Sequence, residues 1–186
     1  GADRRRWFNS GDLARCDEDG YLWLAGRAKD LIIRGGHNID PQVIEECLCE
    51  HPDVALAAAV GQPDAHAGEV PMAYVVLREG STASSEALRE FAAGRIPERA
   101  AVPVRIEIIA QMPVTAVGKI FKPRLRHVAI ERVCGELLQA KGIEASVTVR
   151  DDKRLGTVAV CRLGAAAIRD TATAALPRLP VAIEFQ

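Results

Sequence analysis

The apolar residues between Asp40 and Ala110 change their spacing repeatedly, and this constrains the fold more than any other feature of the chain. Asp40-Pro41 marks a helix start. The aspartate is a candidate N-cap, and proline fits the first helical position, where no backbone N–H is needed. Val43, Ile44, Cys47 and Leu48 then recur at helical spacing, and His51-Pro52-Asp53 ends the segment. The run VALAAAV (54–60) is short and strand-like, and Gly61-Gln62-Pro63-Asp64 reads as the turn after it. PMAYVVL (71–77) is a second strand. A helix from Ser84 or Ser85 places Leu88, Phe91 and Ala92 on one face, and VRIEIIA (104–110) is a third strand. The order α-β-β-α-β predicts an α/β (α+β) fold in which helices cover a small sheet.

Further elements flank this unit. Upstream, Asp19-Gly20 is a turn signal followed by strand-like Tyr21, Leu22, Trp23 and Leu24, so a β-hairpin is expected there. Leu31 to Ile33 forms another short strand closed by Gly35-Gly36. Downstream, Ile130, Val133, Cys134, Leu137 and Leu138 keep helical spacing, and Gly142 is a plausible stop. Val147 and Val149, then Val158 and Val160, alternate with polar residues. A helix at about 165–176 and a last strand with Val181, Ile183 and Phe185 complete a C-terminal α-β-β-α-β extension.

The 186 residues are enough for a core without staples, since a chain of this length buries roughly 70% of its unfolded surface. Lys plus Arg number 24 and Asp plus Glu 25, a balance that argues against a general nucleic-acid binder. The cysteines at 16, 47, 49, 134 and 161 form neither an even disulfide framework nor a metal-site spacing, so no metal ligands are assigned. Reduced thiols and a cytoplasmic setting are the expectation. No apolar run approaches the ~20 residues of a membrane span, and GADRRRWF has no apolar stretch behind it to make a signal peptide. The chain begins with Gly rather than Met, which suggests a piece of something longer.

Three stretches carry potential chemistry. In MPVTAVGKIFKPRLR (112–126), Lys119 follows a glycine that relaxes the backbone for close approach to a ligand. A compact ammonium suits a phosphate or carboxylate. An isolated Gly-Lys pair reads first as a solvated loop lysine, and GxxxxGK[ST] is absent. In NSGDLARCDEDGYLWLAGRAKD, Asp12 could accept hydrogen bonds from two sugar hydroxyls and Arg27 could reach the same group or a phosphate. Alone, they are a turn aspartate and a surface arginine. In RGGHNIDPQVIEE, Gly35 and Gly36 permit a tight turn or close approach to a ligand. His37 is a weak catalytic candidate, and Glu45 and Glu46 suit the dipole of the helix start.

In this order, the pieces SGDLARCDEDGYLWLAGRAKDLIIRGGHNIDPQVIEE and MPVTAVGKIFKPRLR resemble the C-terminal part of the adenylate-forming acyl-CoA synthetases, across about two-thirds of the chain. The resemblance implies a two-step reaction. A carboxylic acid and Mg2+-ATP give an acyl-adenylate and pyrophosphate, and CoA then takes the acyl group as AMP leaves. It implies that residues 1–28 end a large N-terminal adenylation domain and that 29–127 form a mobile lid. Residues 128–186 form an extension with no matched motif. Asp12 matches the ribose-binding aspartate, Arg27 the nucleotide-contacting arginine and Lys29 the hinge. Gly35 and Gly36 match the loop that approaches CoA, and Lys119 the lysine that orients the substrate carboxylate against the α-phosphate. GGHNIDP resembles fatty- or aryl-acid ligases more than peptide-synthetase domains. The family's phosphate loop is missing, so the chain alone is expected to be inactive. Lys119 also sits at the spacing where this family's lysine is acetylated, which implies a lysine acetyltransferase as a partner. The alternatives are an adenylation domain that loads a carrier-protein thiol and a non-catalytic module that kept the lid fold.

Overall fold

The computed structural model describes residues 8–164, 169–176 and 179–186. The stretch 1–7 of GADRRRWF and the start of the predicted fourth helix at 165–168 lie outside the described residues.

Strands β1 (Asp12–Cys16) and β2 (Leu22–Arg27) form the expected antiparallel hairpin. Its turn is organised by Asp17, whose carboxylate accepts from the Asp19 and Tyr21 amides and from Trp23 Nε1 at 2.6 Å. Tyr21, Leu22, Trp23 and Leu24 are all exposed, so this hairpin contributes little to the cores described below.

Strands β3 (Ile32–Arg34) and β4 (His37–Ile39) pair around Gly35-Gly36. The sequence pattern passes from the glycines to the helix without this second strand, because three residues carry no readable period. Helix α1 (Pro41–Cys49) begins as predicted: the Asp40 side chain accepts from Gln42 N at 2.9 Å, with Pro41 opening the helix. It is followed by β5 (Val54–Asp64), β6 (Gly68–Leu77), α2 (Ser85–Ala93), a 3-10 turn at Arg99–Ala101 and β7 (Arg105–Ile108). Strand β6 is the organising strand of the five-stranded sheet. It pairs antiparallel with β5 and β3 and parallel with β7.

The turn predicted at Gly61–Asp64 is not there. Strand β5 continues through it, and the reversal falls at 65–67, where Asp64 Oδ1 accepts from the His66 and Ala67 amides at 2.9 and 2.8 Å. Gly61 serves a different end. A Cβ there would lie 2.6 Å from the carboxylate carbon of Glu69, and Glu69 Oε2 accepts from the Ile33 amide at 3.1 Å. Glycine makes room for the carboxylate that ties β3 to the sheet. Gly61→Ala should displace that flexible carboxylate and cost about 1 kcal/mol, one ordinary hydrogen bond, seen as a fall of a few degrees in Tm.

Both faces of the sheet are buried, which explains the unbroken apolar runs. Ala57, Ala59, Ala73 and Val75 face α1 and α2, joining Ile44, Leu48, Leu88 and Ala92. Ala58, Val60, Met72 and Tyr74 face the other way, against Leu125 and Ala129 of α3 (Lys122–Gln139). The Tyr74 hydroxyl donates to the Leu125 carbonyl at 3.2 Å, and burial pushes its pKa up to about 12.

Helix α3 also faces a second sheet. Strands β8 (Ala145–Asp152) and β9 (Gly156–Leu163) are antiparallel, and β10 (Ala182–Phe185) follows α4 (Arg169–Ala175) to pair parallel with β9. Ile130, Cys134 and Leu138 pack here with Ala159, Cys161 and Ala172. The predicted α-β-β-α-β order of the extension is therefore present. Polar ties fix α3 on both sides. Arg132 pairs with Glu107 and donates to Gln62 at 2.9 Å, while Glu131 accepts from the Val149 amide at 3.2 Å.

Candidate functional site

Lys119 lies on a closed loop. Phe121 N donates to Pro113 O at 2.8 Å, Thr115 N to Lys119 O at 2.7 Å, and Lys119 N to the Thr115 hydroxyl at 3.2 Å. Gly118 sits at φ 79°, a backbone state in which a side chain is strained, so glycine is required one residue before the lysine. A backbone clamped on both sides thus carries an exposed ammonium.

The basic residues after it have partners. Lys122 pairs with Glu45 of α1 at 2.8 Å, both largely buried, and Glu45 also accepts from the Ala59 amide at 2.7 Å. Glu45 therefore anchors α3 to α1, and it lies past the first helical turn, where the dipole role assigned from the sequence does not apply. Arg124 reaches Glu131 at 3.4 Å. Arg126 donates to the Lys29 carbonyl at 2.7 Å and to Asp30 at 3.2 Å. Among the described residues, no ion pair engages Lys119. The positive run therefore resolves into three structural cations and one uncommitted ammonium.

The other site residues fall on two turns and a hairpin. Asp12 and Arg27 are paired across β1 and β2, with Arg27 Nε 3.4 Å from Asp12 Oδ1 and both side chains open to solvent. Lys29 is exposed in the turn after β2, which the Asp30 amide closes onto Arg27 O at 2.9 Å. Gly35 and Gly36 turn β3 into β4 at φ 55° and 89°, and a Cβ at either would meet nothing within 4 Å. The positive φ alone demands glycine there. His37 faces Glu98 at 3.3 Å. Arg34, Arg89 and Arg99 line a cleft of about 540 Å3 near this turn. The structure joins Asp12 to Arg27, and Lys29 to the helix that follows Lys119. Among the described residues, no hydrogen bond joins Lys119 to Asp12, Arg27 or the glycine turn.

Sequence reasoning did not find the Arg126 contacts with Lys29 and Asp30 or the arginine cleft. Both depend on residues far apart in the chain. Among the described residues, no cluster of His, Cys, Asp and Glu could hold a metal ion. Burial pushes the Cys134 thiol up to about 12, which leaves it a packing residue. Among the described residues, no helix is long and apolar enough to cross a membrane.

Residues 43–119 match the AMP-binding enzyme C-terminal domain. The marinolic acid–CoA ligase of Pseudoalteromonas sp. (strain SANK 73390) is 53% identical over 154 residues, 82% of this chain and 24% of the ligase. A long-chain-fatty-acid–CoA ligase of Bacillus subtilis (strain 168) is 42% identical over 122 residues, 66% of this chain and 22% of the ligase. The ATP-bound crystal structure of MatB from Rhodopseudomonas palustris superposes with a TM-score of 0.61 at 33% identity, over 65% of this chain and 24% of that one. The chain spans about a quarter of the length of the curated relatives it matches. A match covering 82% of the chain necessarily includes residues 128–145, so part of the extension is shared with the first of these relatives. The chain belongs to the AMP-binding enzyme family, as its C-terminal domain.

Proposed function

We propose that this chain is the lid of an ATP-dependent acid–CoA ligase, with residues 1–28 ending the adenylation domain, 29–127 forming the lid and 128–186 an extension fixed to it. The reading rests on one observation: among the described residues, Lys119 is the one of these basic neighbours in no ion pair, on a loop whose backbone is clamped on both sides. Such an ammonium is preorganised for an anion presented by another domain.

In the first step a carboxylate oxygen attacks the α-phosphorus of Mg2+-ATP and pyrophosphate leaves. Lys119 orients the carboxylate and offsets the charge that builds on the phosphoryl oxygens. Asp12 and Arg27 hold the nucleotide at the hinge side of the lid. In the second step the lid turns about Lys29, and the Gly35-Gly36 turn approaches the pantetheine as the CoA thiol attacks the acyl carbon and AMP departs. The arginine cleft beside that turn suits the phosphorylated end of CoA, because three guanidinium groups line it. Acetylation of Lys119 by a lysine acetyltransferase would remove the charge that only the first step uses. The relatives' names support a carboxylic acid and CoA as substrates, and the second of them a fatty acid; the aryl-acid class rests on the GGHNIDP resemblance.

The test uses the full-length protein. Carboxylic acid and ATP together should release pyrophosphate without CoA, and CoA should then convert the bound adenylate to thioester. Absence of acid-dependent pyrophosphate release across short, long and aryl acids would refute the reading. Transfer to a carrier-protein thiol in place of CoA would redirect it to the carrier-loading alternative.

A further inference from the structure

The hydrogen bonds around Lys29 divide the chain sharply. On one side, the Ala28 amide donates to Gly11 O at 3.0 Å, which holds residue 28 to the β1–β2 hairpin. On the other, the Lys29 carbonyl and the Asp30 carboxylate both accept from Nη2 of Arg126, at 2.7 and 3.2 Å. Arg126 lies in the second turn of α3, whose packing on the five-stranded sheet is secured by Leu125, Ala129 and the Lys122–Glu45 pair. The Arg126 and Asp30 side chains are each only 23% exposed. The Lys29 carbonyl follows the Cα–C bond of that residue, so it belongs to the body on the C-terminal side. Among the described residues, the bond that crosses the division is the turn bond from Asp30 N to Arg27 O.

We propose that Arg126 is a positioning residue that confines the lid's pivot to the two backbone torsions of Lys29. It clasps the first peptide beyond the pivot to the helix that follows the Lys119 loop. The inference deepens the reading in which the lid turns at Lys29 and rests on it. With the clasp closed, a rotation at Lys29 carries Lys119, α3 and the sheet as one body, and among the described residues the hydrogen bond that must break is the Asp30–Arg27 turn bond. With the clasp lost, residues 29–31 flex together, and the same rotation no longer delivers Lys119 to one defined place. A shift of about 1 Å in a positioned group is enough to slow chemistry by ~10²-fold.

The test compares Arg126→Ala, Arg126→Lys and Asp30→Asn in the full-length protein. The first readout is the initial rate of tryptic cleavage after Lys29, divided by the rate after Lys141, an exposed residue just beyond the far end of α3. Losing a charge-assisted hydrogen bond at the hinge should raise that ratio by about 10-fold in Arg126→Ala. Asp30→Asn keeps the carbonyl bond and should raise it less, and Arg126→Lys should restore part of the protection. The second readout is the split between kcat and KM. Arg126→Ala should lower kcat for both half-reactions while KM for ATP stays within about 2-fold, because the misplacement affects chemistry more than nucleotide binding. An unchanged Lys29/Lys141 ratio, or equal acceleration at both sites from general loosening, would overturn the proposal. If the wild-type protein released no pyrophosphate with any acid, the ligase reading would fail, while the cleavage ratio would still decide whether Arg126 clasps the turn.

Discussion

Lys119→Ala in the full-length protein should slow acyl-adenylate formation by about 10²-fold or more, the usual consequence of losing one preorganised charge-stabilising donor. Thioester formation from supplied acyl-adenylate should largely survive, because in the proposed mechanism the second step uses the glycine turn and not the ammonium. The structure adds a control that the sequence could not offer. Lys119 is exposed and, among the described residues, in no ion pair, so its removal should leave Tm unchanged. Lys122→Ala should behave oppositely. It strands Glu45 at the α1–α3 junction and should lower Tm while impairing both half-reactions together. Pyrophosphate release and thioester formation, measured separately on each variant, decide the matter. An equal loss of both half-reactions in Lys119→Ala would mean that this lysine supports the lid's structure and not its first reaction.

What the sequence made legible was local. Asp40-Pro41 and Ser84 cap helices through contacts within three residues, so their meaning survives without tertiary context. The apolar runs of β5 and β6 were readable because both faces are buried. Gly61 misled because its cause is a carboxylate on the partner strand, whereas glycine, proline and aspartate in sequence spell a turn. Arg126 was opaque for the same reason: its bond to the Lys29 carbonyl spans 97 positions. Lys119 stood out through the glycine before it and the order of two motifs, but nothing local showed that Lys122 three residues on is paired and Lys119 is not. The difference is a partner, Glu45, that belongs to another helix.

Leu48→Ala and Leu138→Ala should have unequal reach, though each residue is fully buried and each substitution should cost about 3 kcal/mol. Leu48 lies in the cluster between α1, α2 and the five-stranded sheet, and Leu138 in the cluster between α3 and the three-stranded sheet. The first half of α3 belongs to the lid through Leu125 and Ala129, and the second half serves the extension through Ile130, Cys134 and Leu138. The lid thus has two clusters of its own, one of them without α3, while the extension has one cluster built on a helix that the lid holds. Leu138→Ala should open β8 and β9 locally and leave β5 and β6 protected. Leu48→Ala should loosen the lid and, through α3, lower protection in both sheets. Hydrogen exchange resolved by strand separates these outcomes. If Leu138→Ala lowered protection in β5 and β6 as much as in β8 and β9, the two sheets would form a single cooperative unit. The extension would then be a structural part of the lid, with no independent opening.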